Sequence, residues 1–434
     1  MISSTKNAPP VSIVIPHFIA GAFSFLVLCL LMFFSAESFH LHYFNPKLLA
    51  VTHLAVLGWI SNIIFGALYQ LLPVLTLSPL HSTILPRIAF VMYNLGVAFL
   101  VYSFYYFNLG ALMISGVVLL VLSVLMIFAN VYMTVHKSEE KGIELDFIST
   151  SVFWLFVTVL IGTFMVVNLI YPFISTEHLT MLKLHAHIGL AGWFILLIFG
   201  VASKLMPMFL LSPDAKKNKL KLSYAFINVA LVLLFADVII FCTLERSLIY
   251  FSIALIGVVS FMAHMLEVYR KRVRKIPDIG MKQSLVAIVL IFVPLIIGFA
   301  VNSGVFKNEF VNVKMNIAYL TTLIFGFISL LIFGQTYKIL PFIVWLHKYS
   351  GAAGKSKTLL PKDLYSEMVA KAHFAVFVFA FPLFVLGIMF NLETILQLAF
   401  VLFILVAVLY NYNILKICFS AGPKTEADLE YGRA

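Results

Sequence analysis

Charge, cysteine and every familiar soluble catalytic signature are scarce or missing in this chain. Only 11% of its 434 residues are charged and 62% are apolar, a balance that excludes a water-soluble globule and fits a chain whose solvent is lipid. The three cysteines, Cys29, Cys242 and Cys418, stand far apart with no CxxC or other ligand spacing, which removes disulfide scaffolds and zinc ribbons. No GxSxG, P-loop, HExxH or dinucleotide fingerprint occurs in a plausible context, so the common soluble hydrolase, nucleotide and zinc chemistries have no foothold. The net charge of +11 would suit nucleic acid. The basic residues gather instead in the loops 214–221, 270–282 and 348–371, beside the ends of apolar runs, where topology and anionic lipid account for them.

What is present is a series of apolar runs long enough to cross a bilayer. They fall near 12–35, 47–74, 87–107, 110–134, 148–173, 182–210, 221–243, 247–269, 283–304, 315–343, 368–391 and 394–418. These runs predict an all-α polytopic membrane protein with twelve transmembrane helices, numbered 1 to 12 in that order. The first run is full length and lacks a small-residue cleavage site, so it is expected to stay as helix 1. With the N-terminus in the cytoplasm, five of the 29 Lys and Arg residues lie outside (Lys47, Lys183, Arg246, Lys307 and Lys314) and the other 24 lie inside. That bias predicts cytoplasmic N- and C-termini; the expected location is a bacterial inner membrane.

A block of residues recurs three times at one interval. His53, Gly58, Trp59, Phe65, Gly66 and Pro73 return 134 residues later as His187, Gly192, Trp193, Phe199, Gly200 and Pro207, then after the same step as Thr321, Gly326, Phe333, Gly334 and Pro341. The first two windows, 53–79 and 187–213, share eleven of 27 positions. The interval divides a single membrane domain, 1–434, into repeats of approximately 10–143, 144–277 and 278–420. Twelve helices then form three pseudo-equivalent four-helix arcs, with helices 2, 6 and 10 as counterparts. Two glycines on one broad face of each would admit a close neighbour or a flat ligand, and the proline would stop the helix at its inner end.

Other polar residues follow the interval. Asn94 matches Asn228, Asn168 matches Asn302, and Asn130 matches His264. An insertion of about eleven residues around 348–362 would set His373 opposite Asn94 and Asn228. These groups would make a polar band on the inner half, a route for protons or solute. His17, His264 and His373 lie close to inner helix ends, where snorkelling is the expectation, as it is for Lys204 and Lys338. Six further histidines (His40, His42, His81, His136, His178 and His347) fall in loops and suit a solvated surface.

His53, His185 and His187 call for a different reason, because ionisable residues inside a span mark functional sites. His53 and His187 sit six and four residues after Lys47 and Lys183, roughly 6–9 Å into the outer end at ~1.5 Å per residue. His185 and His187 point about 200° apart on a helix, so they address two different inter-helix spaces rather than one metal. Asp237, in helix 7 at similar depth, either bonds a neighbouring helix or supports a histidine. Tyr319 and Thr321 occupy the positions of the histidine pair on helix 10, as further support or as a proton path.

His185-Ala186-His187, with Gly192, Gly200 and Pro207 behind it, resembles the haem-bearing helix of haem-copper oxidase subunit I and the HxH-led helix of NnrS-type membrane proteins. The resemblance implies a twelve-helix fold of three arcs, with b-type haem as cofactor, copper as a possible second metal, and His53, His185 and His187 as ligands. Lys47 and Lys183 would then lie where propionates emerge. No adjacent histidine pair exists in the chain, and helix 10 lacks the histidines. The implied function is therefore respiratory electron transfer or the handling of a small diatomic such as nitric oxide, as a haem-dependent oxidoreductase if catalytic, and not proton-pumping oxygen reduction. Any haem is expected between helices 2 and 6. Two other classes suit the same residues: a cofactor-free transporter or channel, and a haem or copper delivery protein for oxidase assembly. Membrane lipid is the expected environment, nucleic acid is not a partner, and the sequence names no redox partner.

Overall fold

The computed structural model describes residues 7–213, 215–352 and 359–420. Twelve helices among them are long and apolar enough to span a membrane, and the chain is an integral membrane protein. They are α1 (Val11–Phe34), α2 (Pro46–Thr76), α3 (Leu85–Tyr105), α4 (Ala111–His136), α5 (Ile143–Ile170) and α6 (His178–Leu210). The second half comprises α7 (Asn218–Phe241), α8 (Ser247–Arg270), α9 (Ile279–Asn302), α10 (Glu309–Lys348), α11 (Glu367–Phe390) and α12 (Glu393–Cys418). Helix is the only open-ended way to satisfy each backbone amide where water is absent. Several ends carry their own caps: Asn45, Asp278, Asn308 and Ser366 each accept a first-turn amide at the head of α2, α9, α10 and α11, the usual role of a short polar side chain there.

The three helices that carry the recurring block form the centre. The most apolar stretches of α2, α6 and α10 are 83, 67 and 89% buried, against at most 50% in any other span. Each contains one π-helical segment, Leu54–Ser61, Ile188–Ile195 and Thr322–Ser329, and these start 134 residues apart, the interval read from the sequence. Each segment begins immediately after His53, His187 or Thr321. A π turn holds one extra residue and is frequent beside functional sites.

Hydrogen bonds across the axis follow the same interval. Trp193 Nε1 on α6 donates to Ser61 Oγ on α2, and Trp59 Nε1 on α2 donates to Ser329 Oγ on α10, both at 3.1 Å. Trp59, Trp193 and Phe327 are one repeat position; Ser61, Ile195 and Ser329 are another. The third step of the cycle thus falls on an apolar pair, Phe327 and Ile195. Ser61 Oγ also donates to the Val56 carbonyl at 2.7 Å, within the π segment.

The second glycine of each block seats the preceding helix of its own arc. A methyl group at Gly66 would lie 3.0 Å from His17 Cβ on α1, one at Gly200 2.5 Å from Phe147 Cβ on α5, and one at Gly334 2.5 Å from the Gly280 carbonyl on α9. Pro73, Pro207 and Pro341 do not stop their helices: all three lie inside them. α2 and α6 end a few residues later at Leu77 and Leu211, both left-handed, with φ of 51° and 52°.

The expected inner polar band is a set of separate fastenings. Asn130 on α4 accepts from the Ser82 amide (2.9 Å) and donates to the Ser82 carbonyl (3.2 Å), while Asn413 on α12 does the same to Ser366, at 2.9 and 3.1 Å. His264, the counterpart of Asn130, is buried at the corresponding place on α8. Asn94 bonds Asn62, which also meets His17 at 3.3 Å; Asn228 accepts from Trp154 Nε1 at 3.0 Å; and Gln283 faces His373 at 3.5 Å. His17, His264 and His373 are 1, 2 and 0% exposed, so they are packed between helices and do not snorkel. Nor does Lys338, whose ammonium lies 2.6 Å from Asp278 on α9; Lys204 is exposed.

His373 is not level with Asn94. α11 and α12 begin at Glu367 and Glu393, in both cases 282 residues after the starts of α3 and α4, which makes the insertion three residues longer than expected; its positions 353–358 lie outside the described residues. Burial pushes the Asp278 carboxyl up, but Lys338, the Met281 amide and Arg274 together hold it below the usual carboxylate range. Its contribution to stability is full above the unfolded value and fades as pH falls through the lower folded one.

Gly334→Ala is expected to cost about 1–3 kcal/mol through overpacking against the α9 backbone, measured as a lower unfolding temperature in detergent. Gly351→Ala, where a methyl group meets nothing within 4 Å, leaves that temperature unchanged.

Candidate ligand cavities at the histidine-bearing end

His53, His185 and His187 share one feature of chemistry. Each Nδ1 lies against a backbone carbonyl: His53 on Leu49 (2.7 Å), His187 on Lys183 (2.8 Å) and His185 on Thr158 of α5 (3.0 Å). A carbonyl can only accept, so Nδ1 carries the proton and Nε2 keeps the lone pair in all three. The two equivalent residues, His53 and His187, bond the carbonyl one turn earlier on their own helix, just before the π segment. His185 reaches sideways, as its position two residues earlier on the helix dictates.

His53 and His185 face one another. Their ring centroids are 6.3 Å apart and their planes 24° from parallel. Both line a cavity of about 270 Å³ between α2 and α6, walled mainly by apolar side chains such as Leu100, Phe104, Val117, Leu155 and Phe194. Phe104 also packs on the His53 ring at 4.9 Å. His185 has room because residue 162 is glycine: a methyl group there would sit 2.8 Å from His185 Cε1. His178, assigned to the solvated surface from sequence, lines the mouth of this cavity with Tyr43 and Phe44.

His187 turns the other way. Its ring lies 6.0 Å from that of Tyr319 on α10 and 20° from parallel with it. The two rings line both the first cavity and a second, of about 290 Å³, between α6 and α10. His185 and His187 thus meet different partners, but the two spaces are not separate: both rings line the first cavity, and His187 alone also lines the second. Thr321 is buried in the wall of the first cavity. Among the described residues, no three His, Cys, Asp or Glu side chains gather as a metal cluster.

Asp237 serves neither cavity as a histidine partner. It forms an ion pair with Arg246 at 3.3 Å across the α7–α8 turn, and its side chain is 1% exposed. No hydrogen bond or ion pair joins it to His53, His185 or His187.

Sequence reading missed Gly162 and the Thr158 carbonyl, because their meaning depends on which residue of α6 faces α5. It also missed Asn316, which lines both cavities one turn before Leu320. The period of α10 was the available signal, since Asn312, Asn316 and Tyr319 recur at helical spacing along one side.

The fold and the cavities define a polytopic, all-helical integral membrane protein with two adjoining chambers at one end. Neither a scan of protein-family models nor a search of curated proteins matched the chain.

Asp237→Asn leaves Arg246 without its counter-charge. The expected cost lies between surface and buried limits, about 1–3 kcal/mol, read as a lower unfolding temperature; ligand binding at the histidines should be unaffected once the variant is folded.

Proposed function

We propose that the chain is a haem-binding membrane protein related to haem-copper oxidase subunit I, acting in electron transfer or in handling a small diatomic such as nitric oxide. The observation that carries this reading is the facing pair His53 and His185. Their ring centroids are 6.3 Å apart, so one group entering the cavity could be held between both imidazoles. Both Nε2 lone pairs are preset by carbonyls on Nδ1, the arrangement that orients a ligating histidine. The cavity around the pair is walled mainly by apolar side chains, a lining that suits an apolar cofactor better than a bare copper ion.

In this reading His53 and His185 hold the iron, and Gly162 and Thr158 position His185. The haem supplies one-electron redox chemistry. Side chains such as Phe104, Leu155 and Phe194 keep water from it. His187, which stacks on Tyr319, is not a ligand to this iron.

Protein expressed with haem supplied should show a Soret band and one b-type haem per chain by the pyridine haemochrome assay. His53→Ala and His185→Ala should each change the spectrum or strip the haem, and Gly162→Ala should shift it by displacing the ring. A purified chain with no Soret band sinks the reading; an unchanged spectrum in both alanine variants excludes the pair as ligands.

The same reading puts both termini in the cytoplasm of a bacterial cell and the histidine end on the outside. Cys242 is exposed, near that end, whereas Cys29 and Cys418 are buried. A membrane-impermeant maleimide added to intact cells should label Cys242. Labelling only after lysis would reverse the orientation.

A further inference from the structure

At the end of the molecule opposite the histidines, an open groove of about 660 Å³ lies between the first turns of α9 and α11. Arg274, Lys282 and Lys371 line it together with Asp278 and Glu367, and most of the remaining wall is apolar, including Phe374, Val378 and Phe379. The two kinds of lining are ordered by depth. Lys371, Phe374, Ala375, Val378 and Phe379 recur at helical spacing and so share one face of α11. Lys371 stands near the head of the helix, and Phe379 lies eight residues further along, roughly 12 Å at ~1.5 Å per residue. Val378 and Phe379 are 47 and 69% exposed, which in a membrane means contact with acyl chains.

The charges in the groove do not cancel. Asp278 already holds the Lys338 ammonium at 2.6 Å and the Arg274 guanidinium at 3.3 Å, and Glu367 pairs with Lys371 at 2.8 Å. Lys282 is exposed and has neither a hydrogen bond nor an ion pair among the described residues. Four cations, Arg274, Lys282, Lys338 and Lys371, thus share two carboxylates. The heads of α9 and α11 add the positive ends of two helix dipoles.

The fold itself does not require these lysines. Lys282 is matched by Val14 and Ile148 in the other two arcs, and Lys371, in the register that sets α11 against α3, by Ala89 and Ser223. Apolar or small residues serve at the same places there, so the two lysines are specific to the third arc.

A ligand that suits the groove carries negative charge at the membrane surface and a hydrocarbon chain directly behind it. A soluble anion would leave the wall of Phe374, Val378 and Phe379 uncovered, and an acidic peptide would not follow that wall into the bilayer. We propose that the groove between α9 and α11 binds one anionic phospholipid, its phosphodiester among Arg274, Lys282 and Lys371 and one acyl chain along Phe374, Val378 and Phe379. Attraction between basic residues at a helix end and an anionic headgroup supplies the affinity, and the apolar face of α11 fixes the register.

The test titrates the full-length protein in detergent micelles with phosphatidylglycerol and with phosphatidylcholine of equal chain length, counting bound lipid by native mass spectrometry. Phosphatidylglycerol should bind about fivefold or more tightly. Lys282→Ile and Lys371→Ser, which install the residues of the second arc, should each weaken it about fivefold. Lys275→Gln removes the same charge from an exposed position of the neighbouring loop, outside the groove, and should leave binding unchanged. All three variants should be monodisperse with an unaltered unfolding temperature, and inorganic phosphate should not displace the lipid. Equal affinity for the two lipids, binding unaltered in both groove variants, or an equal loss in all three variants overturns the proposal. So does displacement by phosphate, which would make this a site for a soluble anion.

Discussion

Two indole-to-hydroxyl hydrogen bonds hold the molecule's axis. Without water or a hydrophobic drive between helices, association in lipid depends on close packing and on polar groups that find partners. Trp193 to Ser61 and Trp59 to Ser329 supply such partners where three helices meet. They tie α6 to α2 and α2 to α10 in one rotational sense. The π segments and the glycine-seated helices are arranged around this axis, and so the depth of every histidine is referred to it.

The histidines show how one local device yields different environments. Repeating a block places an imidazole before each of two π segments and gives it the same carbonyl one turn back. What the ring then meets is decided by neighbours outside the block. His53 finds His185 across an apolar gap, and His187 finds Tyr319, which stands at the repeat position of His185. Equivalent backbones thus place one ring against a second histidine and the other against a tyrosine.

Much of the architecture was legible in the sequence because lipid simplifies the code. Span boundaries came within a few residues, since only long apolar runs can lie in the bilayer, and the interval of 134 residues reappears in the π segments. Prolines misled, because Pro73, Pro207 and Pro341 sit in helices whose missing backbone bonds are tolerated among packed neighbours. Buried His17 and His373 misled for a related reason. Depth from a helix end says nothing about which side of that helix faces protein, and both rings point inward among aromatic residues such as Phe90 and Phe333. The candidate site was legible through its histidines. Its shaping residues were not, because Gly162 is one glycine in an apolar span until α6 is laid against it.

Between α10, α11 and α12 the space is filled by aromatic rings. Phe325, Phe384, Phe400 and Phe403 interlock there with Phe39 from the α1–α2 connection, at centroid distances between 4.9 and 5.8 Å. Edge-to-face rings resist sliding in a way that aliphatic side chains do not. Phe39 and Phe325 carry this packing to the wall of the first cavity, so the aromatic cluster forms part of the boundary of the histidine chamber.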